Sequence, residues 1–133
     1  CIFIHRDGSN EHKNSIVDLC RYLLRRGQSV LIFPEGQRSR SGRFAVNQLT
    51  LGAARLANSV TDCRVVCLYL RSPAQDTFSN YPPKNARFTL DMELAALQTE
   101  KTGKEAYIEL TGQIGTTIAR MEERFYARHG DAN

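Results

Sequence analysis

Apolar positions along the chain recur with two periods. Residues 1–4 form a short β-favouring run, ended by the polar stretch from His5 to Lys13. Ile16, Leu19, Cys20, Leu23 and Leu24 then repeat at helical spacing. Ser15 with Asp18 resembles a capping box, Asp standing for the usual Glu. Arg25 and Arg26 fill the last turn, and Gly27 sits where a glycine cap belongs. Residues 29–33 read as a continuous apolar strand broken by Pro34, followed by a loop over 35–43 rich in Ser, Arg and Gly.

A second helix is expected over about 48–58, with Leu49, Ala53, Leu56 and Ala57 on one face. Residues 64–70 read as a buried strand, and 72–85, with Pro73, Pro82 and Pro83, as loop. Across 86–92, Phe88, Leu90 and Met92 alternate with Arg87, Thr89 and Asp91, as in a half-exposed strand. A last helix, capped by Thr102 with Glu105, runs to about Arg128. Its stripe of Tyr107, Leu110, Ile114, Ile118, Met121 and Phe125 reads as core packing.

The order strand, helix, strand, helix, strand, outlying strand, long helix predicts one α/β domain over 1–133. Its expected architecture is a partial, open, mostly parallel sheet with crossover helices and a long C-terminal helix. No repeat or linker divides it.

Composition narrows the function. Eighteen Lys and Arg against fourteen Asp and Glu give a net charge of +4, enough to favour anionic partners but mild for a nucleic-acid binder. RNA binding through Arg38, Arg40 and Arg43 lacks a stacking platform beyond Phe44, so no nucleic-acid partner is expected. Cys20, Cys63 and Cys67 fall in apolar patterns and read as reduced, buried thiols; the 63/67 spacing is no zinc signature. No metal or cofactor is expected. No apolar run approaches the ~20 residues of a membrane span, and no signal peptide is visible. The start at Cys1, directly inside an apolar run, leads us to expect a piece of something longer.

In an open α/β sheet, ligands sit beyond the carboxyl ends of the strands. Two polar clusters fall there, His5-Arg6-Asp7-Gly8 and Glu35-Gly36-Gln37-Arg38-Ser39-Arg40-Ser41-Gly42. If their strands are parallel neighbours, Arg6 and Arg38 converge, and two guanidinium forks suit a phosphate. Gly36 and Gly42 permit turns that aim backbone N–H groups inward, and Ser39 and Ser41 add hydroxyls. Glu35, among arginines, would orient one of them or accept from a substrate hydroxyl. A solvated Arg/Ser-rich surface loop is the alternative.

Phe33-Pro34-Glu35-Gly36-Gln37-Arg38-Ser39 closely resembles the Phe-Pro-Glu-Gly-Thr-Arg-Ser block of the glycerol-3-phosphate and lysophosphatidate acyltransferases. Ile2-Phe3-Ile4-His5-Arg6 is similar to the preceding family block, with His5 in place of Asp, and 51–57 resembles the helix that follows. The resemblance covers roughly residues 1–71. It implies that Arg6, Glu35, Gly36, Arg38 and Ser39 bind the glycerol-phosphate part of an acyl acceptor. It also implies transfer of a fatty acyl group from acyl-CoA or acyl-carrier protein at the cytoplasmic membrane surface.

The chain departs from the family at several points. Gln37 replaces Thr, Cys67 stands where a Pro is usual, and Thr50 where a Lys is common. The family's catalytic His-x-x-x-x-Asp block has no counterpart: His5 is followed five residues on by Asn10, His12 by Val17, and His129 lies too near the end. That block is expected upstream of Cys1. His12 reads as a solvated loop residue. This chain alone is therefore expected to be inactive, with no catalytic residue assigned. A non-catalytic phosphate-metabolite or anionic-lipid binding module is the alternative. An incomplete core also predicts some self-association.

Overall fold

A computed structural model describes residues 8–37, 39, 41–72, 84, 85 and 87–130. Helix α1 spans Asn10–Arg25, a single 3-10 turn (η1) Val46–Gln48, and helix α2 Gly52–Ala57. Strands β1 (Val66–Arg71) and β2 (Thr89–Leu94) follow, then helix α3 over Gly103–His129.

α1 starts earlier than the capping-box reading placed it. Ser9 is the cap, its Oγ accepting from the His12 N–H at 3.2 Å. Ser15 lies inside the helix and donates back to the His12 carbonyl at 2.7 Å, a local bond that competes with capping. His12 is therefore helical and half-buried, not a loop residue. The C-terminal end matches expectation: Arg26 is the cap and Gly27 follows at φ +75°. α2 is shorter than expected, because η1 and an extended Leu49 occupy its predicted first turn. Arg55 of α2 donates to Asn14 of α1 at 3.0 Å, tying the two helices together.

The sheet corrects the expected architecture. Among the described residues it has two strands, and they are antiparallel, with Val66 opposite Leu94, Leu68 opposite Met92 and Leu70 opposite Leu90. A mostly parallel sheet is not what forms. Residues 29–33 are apolar but join no strand ladder among the described residues. An apolar run lowers its free energy by burial, yet it becomes a strand only where a neighbour accepts its backbone hydrogen bonds. Among the described residues, β1 pairs with β2 alone.

Strand alternation divides the sheet into two unlike faces. Cys67, Tyr69 and Arg71 point inward with Asp91 and Glu93, over α3. Val66, Leu68, Leu70, Leu90, Met92 and Leu94 form the opposite face, every one of them exposed. On the inner side Arg124 holds Asp91 at 2.9 Å and Glu93 at 2.8 Å, and Arg120 also pairs with Glu93.

α3 is the centre of the core, as its stripe predicts. Leu110, Ile114, Ile118 and Met121 pack with Ala54, Cys67 and Ala95, with Tyr107 partly buried beside them. Phe125 meets Tyr69 at a tilt, ring centroids 5.9 Å apart. Burying each such side chain contributes roughly 1.5–3 kcal/mol before entropy is counted, so α3 carries most of the apolar stabilisation. Gly115 faces η1 so closely that a Cβ there would lie 2.6 Å from Val46 Cγ2 and 2.9 Å from Leu49 Cδ1. The N-terminal cap of α3 is Thr102, although its side chain makes no capping bond.

Cys20, Cys63 and Cys67 are free thiols, as expected, and burial pushes the pKa of each up. At Cys67 the Glu93 charge adds to that rise. No described helix is long and apolar enough to cross a membrane.

Candidate active site

The chain reaches the candidate loop through Phe33 and closes a turn at once. The Gly36 N–H donates to the Phe33 carbonyl at 3.0 Å, with Gly36 at φ +66°. A residue with a Cβ would be strained in that left-handed conformation. This N–H is thus bonded within the turn. The Pro34 carbonyl accepts from both the N–H and the hydroxyl of Thr50, at 2.8 and 3.0 Å. Thr50, where the related family commonly carries a Lys, clasps the two ends of the loop together.

Of the five predicted binding residues, Glu35, Gly36 and Ser39 lie within the described part, whereas Arg6 and Arg38 lie outside it, as do His5 and Asp7. Glu35 is half-buried, and its Oε1 accepts from the Ala45 N–H at 3.2 Å. Its carboxylate holds the far limb of its own loop. The Ser39 hydroxyl donates to the Arg43 carbonyl and lies 3.2 Å from the Ser41 hydroxyl, which in turn accepts from the Arg43 N–H. These serines fold the loop onto itself. Gln37, the departure within the seven-residue block, donates to Gln48 at 3.2 Å.

The loop borders a cavity of about 600 Å³. Leu56, Cys67, Ile114 and Ile118 are among the apolar residues lining it, and Glu35, Ser39, Arg43, Arg71 and Glu122 bring polar groups to it. Such a space, apolar with a few placed polar groups, is the general form of a small-molecule site.

Two of those polar residues, Arg71 and Glu122, were not singled out from the sequence, and Arg43 entered only as an RNA-binding candidate. Arg71 is 9% exposed, and its guanidinium donates to the Gly42 carbonyl. Gly42, at φ +70°, is needed there, since a Cβ would come within 3.1 Å of that guanidinium. Alternation in β1 carried a signal for Arg71, because it shares the inward parity of Cys67 and Tyr69. Arg43 stacks on the Tyr126 ring, 3.5 Å from its centroid, a cation–π contact. Glu122 accepts from the Phe44 N–H at 2.9 Å and from the Tyr69 hydroxyl at 3.1 Å, both at Oε1. Burial foremost, then the Glu122 charge, drives the Tyr69 pKa up, so the phenol stays protonated and donates. Only the spacing of Glu122, four residues after Ile118 and three before Phe125 of the apolar stripe, hinted that it faces inward.

Among the described residues, no group of three or more His, Cys, Asp or Glu side chains is arranged to hold a metal ion.

Comparison with curated proteins finds no match, and comparison with solved structures finds none either. The family model described as Acyltransferase matches residues 1–71, the segment that runs through α1, the Pro34–Glu35 turn, α2 and all of β1. That match takes in just over half of the 133 residues, and the chain belongs to the acyltransferase family.

Proposed function

We propose that this chain provides the acceptor-binding half of an acyltransferase. The reaction moves a fatty acyl group from acyl-CoA or acyl-carrier protein to a hydroxyl of a glycerol-phosphate or a lysophospholipid. The carrying observation is the Phe33–Gly36 turn, clasped by Thr50, which sets Glu35 and Ser39 against the apolar cavity. Arg6 and Arg38 grip the phosphate as paired guanidinium forks. Glu35, Gly36 and Ser39 shape the loop that presents Arg38. The cavity's apolar wall suits the lipid part of the ligand, and the work is done at the cytoplasmic face of a membrane.

In the full reaction, the acceptor hydroxyl attacks the thioester carbonyl. An ester C–O bond forms, the C–S bond breaks, and the hydroxyl proton passes through a general base to the departing thiol. That base is the His of a His-x-x-x-x-Asp block, a spacing found nowhere in residues 1–133. This polypeptide therefore binds acceptor but turns it over little or not at all. The same absence favours a second reading, a phosphate-metabolite or anionic-lipid binding module without chemistry.

The test is a thermal-shift titration with glycerol-3-phosphate and lysophosphatidate, beside Arg38→Ala. Stabilisation that vanishes in the variant supports the acceptor site; no shift with either ligand removes it. Acyl transfer from acyl-CoA by purified 1–133 would overturn the claim of inactivity.

A further inference from the structure

Three consecutive residues behind the candidate loop are each anchored, two of them by α3 and the third by the loop itself. Arg43 lies over the Tyr126 ring of α3. The Phe44 N–H goes to Glu122 of α3, and the Ala45 N–H to Glu35. Glu122 and Tyr126 are four residues apart, hence on one face of the helix. About two turns before Glu122 on the same helix, Gly115 leaves the gap that seats Val46 and Leu49. The stretch from Arg43 to Leu49 thus lies along α3, which falls outside the residues that carry the family match.

We propose that α3 sets the geometry of the acceptor-binding loop, with Glu122 and Tyr126 as positioning residues; this rests on the acceptor-site reading above. Glu122 is suited to the task because one carboxylate oxygen receives both the Phe44 N–H and the Tyr69 hydroxyl, fixing loop and strand to a single point. Bonds to an ionised acceptor are the stronger kind. Glu35 then has its reach decided from behind, since its Oε1 is bound to Ala45, the residue next to the one Glu122 holds. A small displacement of Phe44 is passed to Glu35 and to Ser39, whose hydroxyl bonds Arg43. Binding groups must be held to within about half an ångström to act together. The motif supplies the side chains, and α3 supplies their placement.

The experiment compares the full chain with Glu122→Gln, Glu122→Ala, Tyr126→Phe and Tyr126→Ala. Amide hydrogen exchange at Phe44 and Ala45 is measured first, then glycerol-3-phosphate affinity by calorimetry, with melting curves to establish folding. Glu122→Ala is expected to speed exchange at Phe44 and weaken binding about tenfold, the factor that one lost hydrogen bond carries. Glu122→Gln keeps an acceptor oxygen and restores most of both. Tyr126→Phe keeps the ring under Arg43 and resembles the parent, whereas Tyr126→Ala does not. Unchanged exchange at Phe44 in Glu122→Ala, or faster exchange with unaltered affinity, overturns the positioning role while the acceptor site stands. Equal loss in the Gln and Ala variants overturns it too. Failure of the parent chain to bind glycerol-3-phosphate removes the acceptor site itself, and the positioning role with it.

Discussion

The stretch ending at Arg71 and the stretch beginning at Thr89 bring opposite things to the molecule. The first holds the family match, the tight turn at Gly36 and every candidate binding residue. Yet among the described residues its contribution to the buried apolar set is small, limited to Cys20, Ala54, Leu56 and Cys67. The second carries no recognisable motif, but Leu110, Ile114, Ile118, Met121 and Phe125 make α3 the body on which the rest is laid. Chemistry and support have been allotted to different lengths of chain. A loop whose polar groups are spent on folding it, as those of Ser39 and Glu35 are, still needs a rigid surface behind it.

The sharpest way to break this contrast is Met121→Ala. Met121 is fully buried at the centre of the core, and truncation of such a side chain costs about 2–5 kcal/mol. Chemical denaturation should show that loss, with the candidate loop losing order together with α3. A cost below that range would mean that support is shared more evenly than the packing indicates.

Arg124→Ala probes how α3 is fastened to β2. Hydrogen bonding from Arg124 holds the Asp91 carboxyl below its ordinary pKa, and Arg120 first, then Arg124, do the same for Glu93. Carboxylates depressed in the folded state contribute stability above the ordinary carboxylate range, which is lost as pH falls through their native values. The variant should therefore melt lower than the parent at pH 7. The gap should begin to close as pH drops below about 4, where the unfolded carboxyls protonate, and vanish once the native ones do so as well. Parallel melting curves at every pH would remove the linkage. The groups are largely solvated, so the change at neutral pH stays small.

Met92→Lys should have the smallest effect on folding. Met92 is 62% exposed on the apolar outer face of the sheet, where substitutions usually stay within about 0.5 kcal/mol. Its effect belongs to association: six apolar side chains side by side are the surface on which the expected self-association would rest. Sedimentation should show the parent forming larger species that the variant does not. A monomeric parent would end that expectation.

What the sequence disclosed followed from how local each feature is. The α3 stripe and the Gly27 cap depend on neighbours a few residues away, and both are present, whereas the strand over 64–70, read as buried, leaves Val66, Leu68 and Leu70 exposed on its outer face. The direction of the sheet is not local, since an alternating strand looks the same whichever way its partner runs. For that reason the parallel arrangement failed. The apolar run over 29–33 failed as a strand on similar grounds: it joins no ladder among the described residues, and Leu31 and Phe33 stay exposed. Glu35 and Ser39 were legible through their motif. Glu122, 78 residues away in sequence from the Phe44 it holds, offered almost nothing to read.

The clasp between Pro34 and Thr50 has a consequence for how the family could diversify. A loop whose ends are pinned by two hydrogen bonds is, in polymer terms, already closed. Doubling the length of a closed flexible loop costs only about 0.6 kcal/mol, less than a typical net hydrogen bond of roughly 1 kcal/mol. Insertions between Gly36 and Gly42 would leave both the clasp and the contacts with α3 in place. Loop length there can drift among descendants and remodel what is recognised, while the scaffold beneath stays constant.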